Sequence, residues 1–278
     1  MRIRPRLEEK IVRAALRLLT LLTVAILLLI VGFILKKGLP AVSWKFITSN
    51  PVDMGRGGGI FSTIIGTLAL TLVAVVIAAP VGIGTAVYLT EFTWENKITR
   101  VIRFGAECLA GIPSIIFGLF GFILFVDKLK FGWSILSGGL SLAFMLLPTI
   151  IRTSEEAIRC VPADYRQVSF SLGSTKWQTV TRVVLPSAIP GIITGIILSI
   201  GRSIGETAVV IFTAGSALRL PTSLFSSSRT MAVHFYILAR EGISMSNAYG
   251  TAAVLIIAIL AVNLATYYLL NKFIRKYS

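Results

Sequence analysis

Six long apolar segments recur along this chain of 278 residues and restrict the folds open to it. A helix needs about 20 predominantly apolar residues to cross the hydrocarbon core of a bilayer. Segments that approach or meet this length are 14–35, 60–89, 103–126, 137–153, 187–212 and 248–271. Lipid offers backbone groups no hydrogen-bond partner, so each segment is expected to be helical. The sequence therefore predicts an all-α polytopic membrane protein with six transmembrane helices.

Composition favours a membrane protein over a soluble one. Hydrophobic residues make up 55% of the chain and charged residues 14%, whereas a soluble domain has about 25% charged residues. The net charge of +15 would suggest nucleic-acid binding in a soluble protein. Here the basic residues lie at the ends of apolar segments, where they set orientation in a bilayer. We therefore expect contact with membrane lipid and none with nucleic acid.

The placement of lysine and arginine also predicts the orientation of the helices, because cytoplasmic loops carry an excess of these residues. If both termini are cytoplasmic, most basic residues fall on the inner side, in segments 1–17, 97–103, 152–182 and 272–276. We therefore expect the protein to lie in the cytoplasmic (inner) membrane. Both of its termini are expected to face the cytoplasm. Two long outer loops, 36–59 and 213–247, then face the other side.

Residue types typical of metal and enzyme sites are scarce. Cys108 and Cys160 are the only cysteines, expected to be free and buried, and His234 is the only histidine. No Cys/His cluster occurs, and no paired carboxylates are expected within one leaflet of the membrane, so we expect no metal site, cofactor or catalytic activity. The ATP-binding pattern G-x-x-x-x-G-K-[ST] is absent as well. Any ATP-driven function would need an ATPase on another chain.

A polar segment, residues 160–186, lies between the fourth and fifth predicted transmembrane helices. Pro162 followed by Asp164 predicts the start of a short helix, with a carboxylate in its first turn. Gly173 predicts the end of that helix, a second helix is expected to begin at Lys176, and Pro186 is expected to stop it. Two short helices between membrane spans offer a docking surface for a partner.

The spacing within this segment resembles the EAA loop of ABC importer permeases: Glu-Ala-Ala, three residues, Gly, nine residues, Ile-x-Leu-Pro. Gln167, Val168 and Ser169 stand at the Glu-Ala-Ala positions. The resemblance implies that a cytoplasmic ATPase docks here, through Asp164, Gln167, Ser169, Gly173, Lys176, Trp177, Leu185 and Pro186. Glutamine in place of glutamate removes one possible salt bridge. Docking of the ATPase is still expected, because shape and apolar contacts dominate the binding of a helix in a groove.

Two charged residues, Arg202 and Glu206, lie inside the fifth predicted helix. A charged side chain at the bilayer centre costs about 2.5–3.5 kcal/mol on insertion scales. Because the two residues are four positions apart, a continuous helix would place both on one face. They could form an ion pair there, or they could line a polar path together with Ser203 and Thr207. Arginine donates a planar fork of hydrogen bonds that suits an oxyanion. A carboxylate beside it can accept a hydrogen bond from protonated phosphate but not from sulfate.

Four stretches resemble, in order, the PstA family of phosphate ABC transporter permeases. They are 57–68, 80–89, 109–120 and 201–215. The resemblance implies a type I ABC importer permease fold without catalytic activity of its own, and import of inorganic phosphate. It also implies a heterodimer with the sister permease PstC, two copies of the ATPase PstB, and the external phosphate-binding protein PstS.

Three further expectations follow. Residues 1–59 form an arm, the first transmembrane helix and an outer loop; 60–272 form the core permease domain, and 273–278 a cytoplasmic tail. Pro113 introduces a packing kink, and Ser114 beside it is a candidate ligand for the substrate along the path.

Two alternatives to a phosphate permease remain open. One is a permease for another oxyanion, molybdate or sulfate. The other is an ion-coupled secondary transporter, which would leave the polar segment unexplained.

Overall fold

The computed structural model describes the backbone of residues 5–94 and 96–277, and the side chains of residues 9–10, 12–94 and 96–268. Five helical stretches in it are long and apolar enough to cross a membrane: Val12–Ala41, Phe61–Phe92, Ile135–Arg159, Lys176–Ile204 and Met245–Tyr268. A bent pair, Lys97–Gly111 with Ser114–Lys128, makes a sixth if counted as one span. The predicted all-α polytopic membrane fold is confirmed.

The helices alternate with short irregular connections. In chain order they are α1 (Pro5–Gly38), α2 (Trp44–Thr48), α3 (Phe61–Val87), α4 (Lys97–Gly111), α5 (Ser114–Gly121), α6 (Ile135–Arg159), α7 (Ala163–Ser171), α8 (Lys176–Thr179), α9 (Leu185–Ile204), α10 (Ala208–Thr213), α11 (Met231–Arg240) and α12 (Met245–Tyr277). Wider π-helical turns extend three of them: Tyr88–Phe92 after α3, Phe122–Lys128 after α5 and Val180–Val184 after α8. Strands β1 (Pro51–Val52) and β2 (Gly57–Gly58) pair antiparallel as a small hairpin, with Pro51 opposite Gly58.

The core lies between α3, α6 and α9. Glycines bring these helices close together: Gly82 of α3 meets Ile150 of α6, and Gly139 of α6 meets Val73 of α3. Gly195 of α9 likewise lies against Thr153 of α6. Small residues at helix contacts are typical of membrane proteins, in which close packing drives helix association. These three helices therefore form the frame on which the other elements are placed.

The first helix is peripheral. The described side chains of α1 up to Ile30 are all exposed. Its packing is with α12, where Gly38 lies against Tyr249 and the ring of Phe33 meets the same tyrosine edge-on, with centroids 6.0 Å apart. Basic residues used to predict orientation lie partly outside the described chain. They are Arg2, Arg4 and the side chains of Arg6, Lys272, Arg275 and Lys276.

The predicted third transmembrane helix, 103–126, is wrong as a single straight helix. The chain turns by 104° between α4 and α5. The physical reason is Pro113, because a residue before proline is pushed out of the helical region. Ile112 is accordingly extended, with φ −74° and ψ 130°. The two helices are both apolar enough to be read as one segment, which hid the bend from the sequence pattern.

Pro186 does not end a helix, contrary to prediction. Residues Lys176–Ile204 form one continuous helical stretch through α8, the π-helical turn and α9. Pro186 lies in the first turn of α9. The missing N–H interrupts the intrahelical hydrogen bonds at this point, next to the π-helical turn Val180–Val184, without ending the helical stretch. The second helix of the polar segment therefore continues into the fifth span without a break in helical structure.

The two cysteines are free, as predicted, but exposed rather than buried. Cys108 lies on α4, most of whose surface touches nothing else within the described chain. Cys160 follows the last residue of α6, next to the polar segment. Both positions are at the edge of the subunit, which the sequence pattern alone did not reveal.

Candidate substrate path and coupling surface

The fifth membrane-spanning helix ends early. α9 stops at Ile204, and α10 begins at Ala208. The predicted uninterrupted helix 187–212 is therefore wrong, and Arg202 and Glu206 do not lie on one helical face. The cause is local: Gly205 closes α9, and Glu206 Oε1 accepts hydrogen bonds from the N–H groups of Ala208 at 3.2 Å and Val209 at 3.5 Å. The carboxylate thus satisfies N–H groups that a new helix leaves without partners.

Arg202 occupies the last turn of α9 and is exposed. Within the described part of the chain, no hydrogen bond or ion pair joins it to Glu206 or to another residue. The ion pair considered from the sequence is thus not formed. An unpaired guanidinium inside a membrane span needs water, a ligand or a partner chain around it, because hydrocarbon cannot solvate the charge.

The neighbours of this pair face different ways. Ser203 is 3% exposed, and its hydroxyl donates to Thr71 Oγ1 of α3 at 3.3 Å. It therefore joins α9 to the core rather than facing the side of Arg202. Thr207 is half-buried and precedes α10 without a capping hydrogen bond from its side chain. Only Arg202, Glu206 and Thr207 of the predicted group remain at least partly open to the surface.

Ser114 is brought to the same level by the packing of α5 against α10. Gly118 of α5 faces Val209 of α10, and Gly121 faces Thr213, so the two helices run parallel. One turn earlier on α5, the half-buried Ser114 is level with the break between α9 and α10. The sequence predicted Ser114 and the charged pair separately, and this parallel register places Ser114 level with the break that separates Arg202 from Glu206.

Two hollows open beside α4 and α5. A cleft of about 270 Å³ lies between α4 and α6, lined among others by Ala110 and Pro148. A hollow of about 620 Å³ lies beside the far ends of α5 and α10, lined among others by Leu119, Phe212 and Ser216. Neither hollow is lined by Arg202, Glu206 or Ser114.

The polar segment folds into two helices, as predicted. α7 begins after Pro162 with Asp164 in its first turn. Gly173 follows α7 with φ +82°, a conformation that glycine adopts without steric cost. α8 begins at Lys176 behind a capping box formed by Thr175 and Gln178.

Most of the predicted coupling residues lie at the surface of this segment. Those that are exposed are Asp164, Gln167, Gly173, Lys176, Trp177 and Pro186, whereas Leu185 is half-buried. Ser169 is 6% exposed and its hydroxyl lies 2.8 Å from that of Thr179, so it joins α7 to α8. Sequence reasoning missed the exposure of Leu172, 81%, which with Val168 and Trp177 forms an apolar surface. Exposed apolar surface of this kind often marks a protein contact.

Arg166 of α7 was also missed. Its guanidinium contacts Glu91, in the π-helical turn after α3, at 2.6 Å between Nη2 and Oε1 and 3.1 Å between Nε and Oε1. It also donates to the carbonyl oxygens of Ile158 and Val161 at the end of α6. No sequence pattern could have found the pair, because its members are 75 residues apart.

Comparison with known proteins places these features in a family. The family described as "Binding-protein-dependent transport system inner membrane component" matches residues 78–278. The probable ABC transporter permease protein YqgI of Bacillus subtilis (strain 168) is 34% identical over 280 residues, 95% of each chain. The phosphate transport system permease protein PstA 1 of Mycobacterium tuberculosis (strain ATCC 25618 / H37Rv) is 34% identical over 211 residues, 75% of this chain and 68% of the relative.

Solved structures agree on the fold. A chain of the inward-facing MetNI methionine ABC transporter superposes with a TM-score of 0.62 at 18% identity, covering 75% of this chain and 93% of that one. A chain of a bacterial transporter that imports the acidic polysaccharide alginate gives 0.64 at 17% identity, covering 96% and 99%. This is the type I ABC importer permease fold, which implies an ATPase and a binding protein as partners. The chain belongs to the inner-membrane components of binding-protein-dependent transport systems, the multi-pass permease subunits of ABC importers.

Proposed function

We propose that this protein is a permease subunit of an ATP-driven importer of inorganic phosphate. The observation that carries the proposal is the exposed Arg202, which pairs with none of the described residues and lies beside a break in a membrane-spanning helix. The relatives include several phosphate transport permeases at 32–34% identity. Residues 60–272 form the core permease domain, and both termini and the segment 160–186 are cytoplasmic.

Arg202 and Glu206 together suit a protonated oxyanion. The guanidinium offers a planar set of N–H donors to two oxygens of a tetrahedral anion. Glu206 uses Oε1 to cap α10, while Oε2 accepts no hydrogen bond from the described residues. That oxygen can accept the O–H of hydrogen phosphate. Sulfate carries no proton at neutral pH and would face an unshielded carboxylate, so the site discriminates against it. Ser114 and Thr207 add hydroxyl groups at the same level, and Ser203 holds α9 in place.

This chain supplies one half of the path. Apolar side chains of α5 that are 44–48% exposed, Ile115, Ile116, Leu119 and Phe120, offer a contact for the second permease subunit. The sister permease, the pair of ATPases and the external binding protein correspond to PstC, PstB and PstS. The ATPase docks on the apolar surface of Val168, Leu172 and Trp177, flanked by the exposed coupling residues.

Uptake of radiolabelled phosphate into proteoliposomes tests the path. The vesicles hold this chain with its sister permease and ATPase, with ATP inside and binding protein outside. We expect ATP-dependent uptake that excess sulfate does not suppress. Arg202→Lys should lower it at least tenfold, because an ammonium cannot form the planar fork. Arg17→Lys, an exposed arginine in α1, is the matched control and should leave uptake unchanged.

The same preparation decides between the alternatives. Uptake of molybdate or sulfate in place of phosphate would keep the ABC permease and discard the substrate. Uptake without ATP would indicate an ion-coupled transporter and contradict the proposal. For docking, Leu172→Ser should reduce the ATPase that copurifies with the permease, whereas Leu224→Ser, exposed in the outer loop 213–247, should not.

A further inference from the structure

Arg166 connects three elements at one end of the molecule. Its Nε and Nη2 contact Glu91 Oε1, and its Nη1 and Nη2 donate to the carbonyl oxygens of Val161 at 2.8 Å and Ile158 at 3.0 Å. Glu91 lies in the π-helical turn that extends α3, and Ile158 lies in the last turn of α6. A single side chain of the short helix α7 thus holds the ends of two membrane-spanning helices.

The pair is largely withdrawn from solvent. The side chain of Arg166 is 21% exposed and that of Glu91 is 10% exposed. Arg166 therefore points into the permease and away from the exposed face of α7 that offers Val168 and Leu172 for docking. Removing one member would leave a partly buried charge without its partner, which costs far more than breaking an exposed ion pair.

The same turn after α3 is held from other sides. Arg103 of α4 donates to the carbonyl oxygen of Leu89 at 3.3 Å and contacts Glu155 of α6 at 3.2 Å. On the α8 side, the ammonium of Lys176 lies 5.4 Å from the centre of the Phe92 ring, and the ring of Trp177 is 6.3 Å from the same ring. The turn Tyr88–Phe92 is therefore the point at which α4, α7 and α8 meet α3.

α3 continues from this turn to the substrate path. Thr71 on α3 accepts a hydrogen bond from Ser203, the neighbour of Arg202. A displacement of α7 has a continuous set of contacts to follow: Arg166 to Glu91, along the helix α3, and through Ser203 to the end of α9. Such contiguity alone does not establish energetic coupling, which needs a measured interaction between the two sites.

We propose that the Glu91–Arg166 ion pair is the joint through which movement of α7 is passed to α3, so that it sets how much substrate is moved per ATP hydrolysed. Both are positioning residues, since neither faces the docking surface or the path. This inference rests on the proposed function, because it assigns α7 to the ATPase and the break after α9 to the substrate.

The first test compares Glu91→Gln, Arg166→Lys and the double variant in the reconstituted complex. We expect the ATPase to copurify as with wild type and the phosphate taken up per ATP hydrolysed to fall about tenfold in each single variant. The double variant should transport no less phosphate per ATP than the more impaired of the two single variants, because all three variants disrupt the same contact between Glu91 and Arg166. Asp127→Asn is the control: its ion pair with Lys130 is of similar length, 3.0 Å, but its side chain is 63% exposed.

Two outcomes would overturn the joint. One is uptake and ATP hydrolysis that fall in parallel, with an unchanged ratio, as expected if the pair only maintains folding. The other is loss of the ATPase from the complex, which would make the pair part of docking.

A second measurement needs no substrate and so separates this inference from the proposed function. Spin labels at Ser171→Cys on α7 and Trp94→Cys beyond the turn, both exposed positions, report the distance between α7 and the end of α3. The background carries Cys108→Ser and Cys160→Ser, since both native cysteines are exposed. With the pair intact, the distance should be the same in the nucleotide-free and ATP-bound complex, and Glu91→Gln should make it change. If the distance between the two labels already differs between the nucleotide-free and ATP-bound complex with Glu91 and Arg166 intact, the ion pair does not join α7 to α3 and the inference is wrong. Wild-type complex that moves no phosphate would instead refute the proposed function.

Discussion

Glu206 shows how one carboxylate can serve structure and selectivity together. One oxygen caps α10 through the N–H groups of Ala208 and Val209, while the other accepts no hydrogen bond from the described residues. The cap uses one acceptor atom, and the O–H of hydrogen phosphate needs a second one, which a carboxylate has and an amide lacks. Structure and selectivity can therefore be separated by a substitution that changes the charge and keeps an acceptor.

We predict that Glu206→Gln retains the fold and loses selectivity. The amide oxygen can still cap α10, so thermal stability should change little. Sulfate should then compete with phosphate about tenfold more effectively than in wild type, because a neutral amide no longer repels a fully deprotonated oxyanion. The measurement is phosphate uptake against rising sulfate. An unchanged inhibition curve would remove Glu206 from substrate discrimination.

His234 is a buried titratable residue outside the membrane-spanning helices. It lies on α11, is 1% exposed, and its Nδ1 is 3.4 Å from Arg229 Nη1. A guanidinium can only donate, so Nδ1 is the acceptor and the ring is neutral. Burial first, and the charge of Arg229 second, lower the pKa of His234 from 6.5 to about 4. Glu241 contributes the nearby negative charge that acts on Arg229.

The lowered pKa of His234 predicts that the region around α11 is sensitive to acid. Between pH 6.5 and about 4, the unfolded chain binds a proton at His234 and the folded chain does not, so stability falls as the pH falls through this window. The loss is at most about 3 kcal/mol. His234→Gln cannot titrate, so the stability difference between wild type and variant should narrow or reverse from pH 7 to pH 4.5. Thermal unfolding in detergent measures it, and parallel curves would contradict the assignment.

At the scale of elements, glycines decide how closely α6 and α9 approach. A Cβ atom on Gly195 of α9 would collide with Oγ1 of Thr153 and lie 2.7 Å from its Cβ on α6. Both atoms are near the backbone, so the helices themselves would have to move apart. By contrast, a Cβ on Gly105 of α4 would meet nothing within 4 Å.

Gly195→Ala is therefore expected to destabilise the permease by about 1–3 kcal/mol through overpacking. Gly105→Ala is the matched control, and should be neutral or slightly stabilising because alanine favours a helix over glycine. The measurement is the thermal midpoint of the purified protein. Thr153→Ala should recover part of the loss by removing the hydroxyl. Equal midpoints for the two alanine variants would show that α6 and α9 do not pack as described.

At the scale of the whole molecule, the native cysteines can test the proposed orientation. Cys160 adjoins α7 and is exposed. In a Cys108→Ser background, a membrane-impermeant maleimide should label it in inside-out vesicles only. Ser223→Cys, exposed in the outer loop 213–247, should in a cysteine-free background be labelled in right-side-out vesicles only. The opposite pattern would invert the topology and remove α7 and α8 from the ATPase side.

The sequence alone is enough to predict the fold class, most of the membrane-spanning helices and the two short helices of the polar segment 160–186. These features depend on local properties: the length of apolar runs, proline and glycine at helix boundaries, and the spacing around Gly173. Lipid forces an apolar run to be helical whatever its neighbours are, so periodicity and composition suffice for this part. Arg202, Glu206 and Ser114 could also be proposed from the sequence, because charge and proline are rare within membrane spans.

The tertiary structure alone decided how these pieces meet. The sequence reads α4 and α5, and likewise α9 and α10, as continuous apolar runs, since composition does not reveal a 104° turn or a carboxylate that caps the next helix. The parallel packing that brings Ser114 level with the break after α9, and the pair formed by Glu91 and Arg166, join residues far apart in the chain. Such contacts depend on helix packing in three dimensions, about which a local pattern carries no information.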